Sequence, residues 1–464
     1  MTKHRQTTIS PVDGSVYVER DYASDDTIAA TLALARDARR GWAAMPIAER
    51  ARLCQAAVDA FVAKKSRHAE ELAWQIGRPV SAGGGEVGGF EERARYMIDI
   101  AADTLAPIDV GEKEGFVRYI KREPLGVVLT IAPWNFPYMT AVNSVVPALM
   151  AGNAVILKHA AQTPLCAERM VEAFREAGLP DGVFQYLHLT HESAARVIQA
   201  PEVEHVAFTG SVPAGAKIEQ AAVGRFMGVG LELGGKDPAY VRPDVNIDHA
   251  VENLADGAFF NSGQSCCGIE RIYVHADVYD SFVDGLVELT RGYRLDNPLD
   301  EHTNLGPVVK ASASEFIRGQ VAEAVSQGAR ALIDPASFPE DREGTPYLAP
   351  QILVDVDHSM RVMTEETFGP VVGIMKVESD ARAIELMNDS QFGLTASVWT
   401  TDLEAAERIG NQVDTGTWFM NRCDYLDPAL AWTGVKDSGR GCTLSRVGYE
   451  SLTRPKSFHL RTKV

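Results

Sequence analysis

The sequence predicts an α/β protein built on doubly wound parallel sheet, and three observations predict it. From Gly126 onward, short continuous apolar runs recur, as in Gly126-Val127-Val128-Leu129-Thr130-Ile131-Ala132, the pattern of a strand covered on both faces. Amphipathic stretches, Thr163 to Ala177 and Pro213 to Val223 among them, separate these runs. Strand–helix alternation of that kind closes into a parallel sheet through right-handed crossovers. The third observation is length: 464 residues are more than one hydrophobic core organises, so two or three domains are expected.

Taken in order, the first hundred residues read as helices. Ala23-Ser24-Asp25-Asp26 offers N-caps to an Ala-rich segment reaching Trp42, and a second helix follows Pro46. Gly83-Gly84-Gly85-Glu86-Val87-Gly88 has the letters of a dinucleotide fingerprint, but that motif carries meaning only between a strand and a helix. Here Leu72 to Arg78 reads as the end of a helix, so the glycines are expected to form a flexible break before a third helix near Gly88. Strand-like runs continue at Ala154-Val155-Ile156-Leu157, Val206-Ala207-Phe208 and Val229-Gly230-Leu231. A second α/β region starts near Asp237 and resumes with Val371 to Met375 and Ala396 to Trp399. Gly292 to Pro307 and Asp334 to Pro350 are rich in turn formers and read as loops.

Composition narrows the function. With 63 acidic against 45 basic residues the formal charge is −18, a field that repels nucleic acid and anionic membrane surfaces, so neither is expected as a partner. The first residues hold no apolar stretch, and no run approaches the ~20 apolar residues of a membrane span. Six cysteines in so long a chain make no disulfide framework and fit a reducing cytoplasm. The eleven histidines show no metal-ligand spacing, so no metal is expected.

Three segments carry chemistry. Cys266 lies in Phe259-Phe260-Asn261-Ser262-Gly263-Gln264-Ser265-Cys266-Cys267; taken alone, a cysteine beside glycine is more often structural than reactive. Glu232 in Leu231-Glu232-Leu233-Gly234-Gly235 supplies a carboxylate able to activate a thiol or a water. Asn135 in Pro133-Trp134-Asn135-Phe136-Pro137 supplies an amide donor of the kind an oxyanion hole uses.

In that order the three resemble the aldehyde dehydrogenase superfamily. Leu157-Lys158, Phe208-Thr209-Gly210-Ser211, Glu365-Glu366-Thr367-Phe368-Gly369-Pro370 and Gly434-Val435-Lys436-Asp437-Ser438-Gly439 extend the likeness from about Ile9 to about Ser457. The resemblance implies two Rossmann-like domains, cofactor-binding (residues 1–107 and 126–235) and catalytic (236–435). It also implies a β-hairpin oligomerisation arm with a C-terminal segment (108–125 and 436–464). The arm is expected to pair with the C-terminal strand region of a neighbouring subunit, giving a homodimer or homotetramer. Cys266 is the implied nucleophile, with Cys267 the alternative, Glu232 the general base, and Asn135 the oxyanion donor together with the Cys266 N–H.

By the same resemblance Ile131 and Trp134 line the cofactor groove and Lys158 reaches the adenosine ribose. Thr209, Gly210 and Ser211 lie at the pyrophosphate, Glu366 holds the nicotinamide ribose, and Phe368 packs nearby. Members that prefer NAD often carry a glutamate where this chain has Ala161 in Lys158-His159-Ala160-Ala161. Lys158 and His159 would both attract a 2′-phosphate, and the choice between NAD and NADP stays open. Members that oxidise succinate semialdehyde carry arginines where this chain has Asn143 and Phe260, so that substrate is not expected. Phe136 and Phe260 suggest walls for an aliphatic or aromatic aldehyde. Asp424, Tyr425 and Trp432, in an unusual mouth loop ending Ala431-Trp432-Thr433-Gly434, are the remaining candidate contacts, with Asp427 a further polar one. Arg440-Gly441-Cys442-Thr443 also departs, since Gly-Arg-Glu is common there. A CoA-acylating enzyme, a silent relative and a thiol hydrolase are the competing readings. Glu232 argues against the first, the intact trio of Cys266, Glu232 and Asn135 against the second, and Glu366 and Ser211 against the third.

Overall fold

Buried apolar strands need cover on both faces, and the computed structural model, which describes residues 5–463, provides it in two parallel sheets. The ends of the expected first and last segments, residues 1–4 and 464, lie outside the described residues. The six-stranded sheet runs Gly439–Arg440, Gly228–Glu232, Val203–Thr209, Val127–Ala132, Ala154–His159, Phe184–Tyr186, all parallel but for the first pair. Every residue of Val127–Ala132 and Ala154–His159 is buried, which explains apolar runs without alternation. The chain winds away from Val127–Ala132 in both directions. The crevice beyond its C-terminal end, beside Val203–Thr209, is therefore the switch point at which open α/β sheets take ligands.

The seven-stranded sheet runs Arg330–Ala331, Gln351–Val354, Val371–Val377, Ile269–His275, Asp237–Val241, Thr395–Trp399, Thr417–Met420, parallel after an antiparallel first pair. The α/β class with doubly wound parallel sheets is the observed architecture. Among the described residues no helix is long and apolar enough to cross a membrane.

Two expectations are corrected. Gly83 to Gly88 form no break: Val80–Asp99 is one helix running through them. A mid-helix glycine costs about 1 kcal/mol against alanine, and here the missing side chain lets helices touch. A Cβ at Gly83 would stand 2.7 Å from Ala69 Cβ, and one at Gly89 2.1 Å from Met139 Sδ. The glycines are a packing seam against helices Lys65–Ile76 and Pro137–Met150. The second correction concerns the arm. Phe116–Pro124 pairs along its length with the C-terminal strand Thr453–Arg461 of the same chain, and Ile108–Asp109 adds a third antiparallel strand. Tyr119 stacks on Phe458 at 4.6 Å across this pairing.

Candidate active site

The loop bearing Cys266 owes its shape to three successive left-handed residues, Asn261, Ser262 and Gly263, between helix Ile247–Phe259 and strand Ile269–His275. Side chains then clamp it. Gln264 donates to the Asn261 carbonyl at 3.0 Å and accepts from the Val309 N–H at 2.7 Å, while Ser262 Oγ donates to the Gly306 carbonyl at 2.7 Å. Cys266 remains partly exposed and Cys267 is buried. The Cys266 thiol is pushed well up, first by its contact with Cys267, then by burial and the Asp237 and Glu232 carboxylates, so in this state it holds its proton.

Strand Gly228–Glu232 delivers Glu232 to the same place. A Cβ on Gly235 would lie 2.2 Å from the Cys266 carbonyl oxygen, so only glycine lets the two segments meet. Glu232 accepts from Thr209 Oγ1 at 3.0 Å and from Thr443 Oγ1 at 2.6 Å. Burial raises its pKa, opposed by the two hydroxyls and by the Arg93 charge, which suits a carboxylate that must take a proton near neutrality. Asn135 is 4% exposed, and its amide donates to the Gln264 carbonyl at 3.2 Å, placing that amide against the Cys266 loop.

The expected cofactor residues gather at the C-terminal edge of the six-stranded sheet. Ile131 pairs with both Lys158 and Phe208, and Thr209 pairs with Glu232. Ser211 precedes helix Val212–Ala221 without capping it, leaving first-turn N–H groups free for a phosphate. Lys158 is 8% exposed with its pKa lowered by burial to about 8. Glu366 accepts from the Gly235 N–H at 3.0 Å, and burial lifts it to about 7. Phe368 meets Trp134 edge-on at 5.5 Å. An under-bonded lysine, a free helix start and an under-bonded carboxylate fit a dinucleotide.

His159 is corrected. It is buried, and burial drives its imidazole to about 3, so it is neutral and attracts no 2′-phosphate.

Phe136 and Phe260 lie parallel at 6.1 Å, with the Arg78 guanidinium 4.5 Å from the Phe136 ring. Asp424 takes a left-handed conformation, and burial, then the nearby Cys267 and Asp256, raise it to about 8. Tyr425 donates to Glu92 Oε1 at 2.5 Å, under the Arg422 guanidinium. Trp432 is 4% exposed and packs in the core cluster that holds Cys267, not at an open mouth. Asp427 caps a turn by accepting from the Ala429 N–H at 2.9 Å.

Several residues went unnoticed in the sequence. Glu270 accepts from the N–H groups of Thr367 and Phe368 at 2.8 and 2.9 Å, pairs with buried Lys236, and so fixes the segment carrying Glu366. A lone acidic residue within a buried strand was the available signal, since burial demands partners. Arg78, Glu86, Arg93 and Thr443 are others. Among the described residues no cluster of three or more metal-ligating side chains occurs.

With this geometry in hand, the comparisons with known proteins agree with one another. A family model described as the aldehyde dehydrogenase family matches residues 1–458. A succinate-semialdehyde dehydrogenase [NADP(+)] of Mycobacterium tuberculosis is 33% identical, covering 97% of this chain and 98% of its own. The structure of an NADP-dependent glyceraldehyde-3-phosphate dehydrogenase from Bacillus halodurans, complexed with NADP, superposes with TM-score 0.93 at 31% identity, covering 100% of this chain and 97% of that one. An NAD-dependent aldehyde dehydrogenase from Sinorhizobium meliloti superposes with TM-score 0.94 at 32% identity, covering 99% and 92%.

Proposed function

Since the chain belongs to the aldehyde dehydrogenase family and oxidises an aldehyde to its carboxylic acid with NAD or NADP, we propose that Cys266, Glu232 and Asn135 carry the chemistry. The supporting observation is convergence: the Asn135 amide and the Glu232–Gly235 segment both reach the Cys266 loop. The Cys266 sulfur adds to the aldehyde carbonyl, and its proton leaves toward Glu232. The Asn135 amide and the Cys266 N–H hold the oxyanion of the thiohemiacetal. A bound nicotinamide dinucleotide supplies the hydride acceptor. Cys266 then carries a thioester, and Glu232 takes a proton from the water that hydrolyses it.

Thr209 and Thr443 hold Glu232 between turnovers, and its swing toward Cys266 breaks those two bonds. Lys158, Gly210 and Ser211 hold the adenosine and pyrophosphate end, Glu366 the nicotinamide ribose, with Ile131, Trp134 and Phe368 as walls. Phe136 and Phe260 wall the substrate side, Asp424 lines it, and Tyr425 sits at its rim. The assembly is a homodimer or homotetramer built on the three-stranded arm sheet, in the cytoplasm.

Glu232→Gln tests the base. Reduced nucleotide is expected in a burst of about one equivalent per Cys266, followed by a steady rate lower by about 10²–10⁴-fold. A uniformly slow reaction without a burst would mean that Glu232 acts before hydride transfer.

Cofactor choice is a second test. Lys158 is under-bonded and Ala161, exposed at the strand end, presents no carboxylate, so we propose that NADP is accepted at least as well as NAD. Ala161→Glu should cut the NADP/NAD ratio of kcat/KM about 100-fold through like-charge contact with the 2′-phosphate; an unchanged ratio would place the 2′-position elsewhere. The Mycobacterium tuberculosis relative is named for succinate semialdehyde, whereas the two positions expected to bear arginines for that substrate are Asn143 and Phe260 here.

A further inference from the structure

A carboxylate inside a buried strand must find donors or shed its charge, because an unpaired anion out of water is costly. Glu270 is the second residue of strand Ile269–His275, which is buried up to Val274. It is 3% exposed, and its donors come from two separate segments. Buried Lys236 pairs with it, and the N–H groups of Thr367 and Phe368 donate to it at 2.8 and 2.9 Å. Lys236 also donates to Thr367 Oγ1 at 3.1 Å, so Thr367 is gripped through backbone and side chain alike.

The backbone these bonds hold is strained. Phe368 has a φ of 54°, in the left-handed region that a bulky residue enters only where its surroundings impose it. On one side of it, Glu366 accepts from the Gly235 N–H at 3.0 Å. On the other, a Cβ at Gly263 would stand 2.1 Å from the Gly369 carbonyl oxygen, so the segment lies against the left-handed turn that shapes the Cys266 loop. The Phe368 ring meets Trp134, the chain neighbour of Asn135, edge-on. Only Cys267, Gly268 and Ile269 separate Cys266 from Glu270. The thiol and the anchor of the Glu366–Phe368 segment therefore share one short piece of chain. The Glu270 charge also acts on Glu366, since it adds to the burial that lifts that carboxyl to about 7.

We propose that Glu270 is a positioning residue for hydride transfer, setting the nicotinamide half of the cofactor against the carbon bonded to Cys266. The inference rests on Cys266 as the nucleophile and on Glu366 as the group that holds the nicotinamide ribose. In the step concerned, the thiohemiacetal carbon loses hydride to the nucleotide and its oxyanion becomes the thioester carbonyl. The rate then depends on the approach of two groups held by different segments, and an error of about 1 Å can cost about 10²-fold. Glu270 fixes both ends. Its backbone continues the Cys266 loop into the sheet, and its side chain holds Thr367 and Phe368. Neither attack on the carbonyl nor thioester hydrolysis uses the Glu366–Phe368 segment, so only the hydride step should feel the loss of Glu270.

The test sets nucleotide reduction against a reaction of the same thiol that needs no nucleotide. 4-Nitrophenyl acetate acylates a thiol with loss of 4-nitrophenolate, and water then hydrolyses the acetyl thioester, a sequence that engages Cys266, Asn135 and Glu232 alone. Glu270→Gln keeps the side-chain shape and one acceptor. Lys236→Met combined with Glu270→Gln also removes the ammonium that the single change strands, and guards against a variant that fails to fold. In both, aldehyde-dependent reduction is expected to fall about 10–100-fold in kcat, while ester hydrolysis stays within about threefold of wild type. Deuterium at the aldehyde carbon should slow the variants more than the wild type, because hydride transfer has become the slow step. Parallel losses in the two reactions, or reduction within about threefold of wild type in both variants, would overturn the proposal. Ester hydrolysis that survives Cys266→Ala would instead count against the nucleophile on which it rests.

Discussion

Replacing Cys266 with alanine is expected to lower aldehyde-dependent nucleotide reduction by about 10⁴-fold or more, the scale on which loss of a covalent nucleophile acts. Nucleotide binding should survive, because the residues assigned to it lie on the six-stranded sheet and at Glu366. The informative control is Cys267→Ala. Cys267 is buried in the core cluster while Cys266 is partly exposed, so only Cys266 is open to an arriving carbonyl. Cys267 touches the Cys266 thiol from the buried side, so its loss leaves the reacting group in place, and activity is expected to stay within about tenfold of wild type. Rates with both nucleotides on the two variants, together with alkylation of the thiols followed by mass spectrometry, decide the matter. Activity surviving in Cys266→Ala and lost in Cys267→Ala would transfer the nucleophile's role to Cys267.

What sequence could show follows from how locally each feature is encoded. Val127–Ala132 and Ala154–His159 were legible because a strand buried on both faces must be apolar throughout. The helix Asp25–Ala44 was legible from Ser24, which accepts from the Thr27 N–H as an N-cap should. Gly83 to Gly88 misled because glycine has two uses, freedom of backbone and absence of bulk, and only the neighbouring helices reveal the second. His159 misled because it ends a strand buried on both faces, where burial keeps its imidazole neutral, and its neighbour Lys158 suggested a basic pair.

The largest stability effect is expected from Glu86, inside the very segment whose letters suggested a cofactor loop. Glu86 and Arg78 are fully buried and paired. The other Glu86 oxygen accepts from the N–H groups of Tyr138 and Met139 at 2.9 and 3.0 Å, capping helix Pro137–Met150, whose own N-cap residue Phe136 supplies no side-chain bond. Arg78 in turn donates to the Asn135 carbonyl and, at 3.1 Å, to Asn261 Oδ1. One buried pair thus ties the helix start, the oxyanion donor and the Cys266 loop together. Glu86→Ala strands a buried guanidinium and two backbone donors, and should destabilise the fold by about 3–5 kcal/mol in denaturant titration. Removing both partners with Arg78→Met and Glu86→Leu leaves no unpaired charge and should recover a large part of that loss. Activity should not follow stability. With no guanidinium on the Asn135 carbonyl, the double variant is expected to fold yet lose about tenfold or more in kcat, with KM for aldehyde changed far less. A double variant as unstable as Glu86→Ala would show that packing, not the unpaired charge, sets the cost. One with wild-type kcat would show that Asn135 is held by the loop alone.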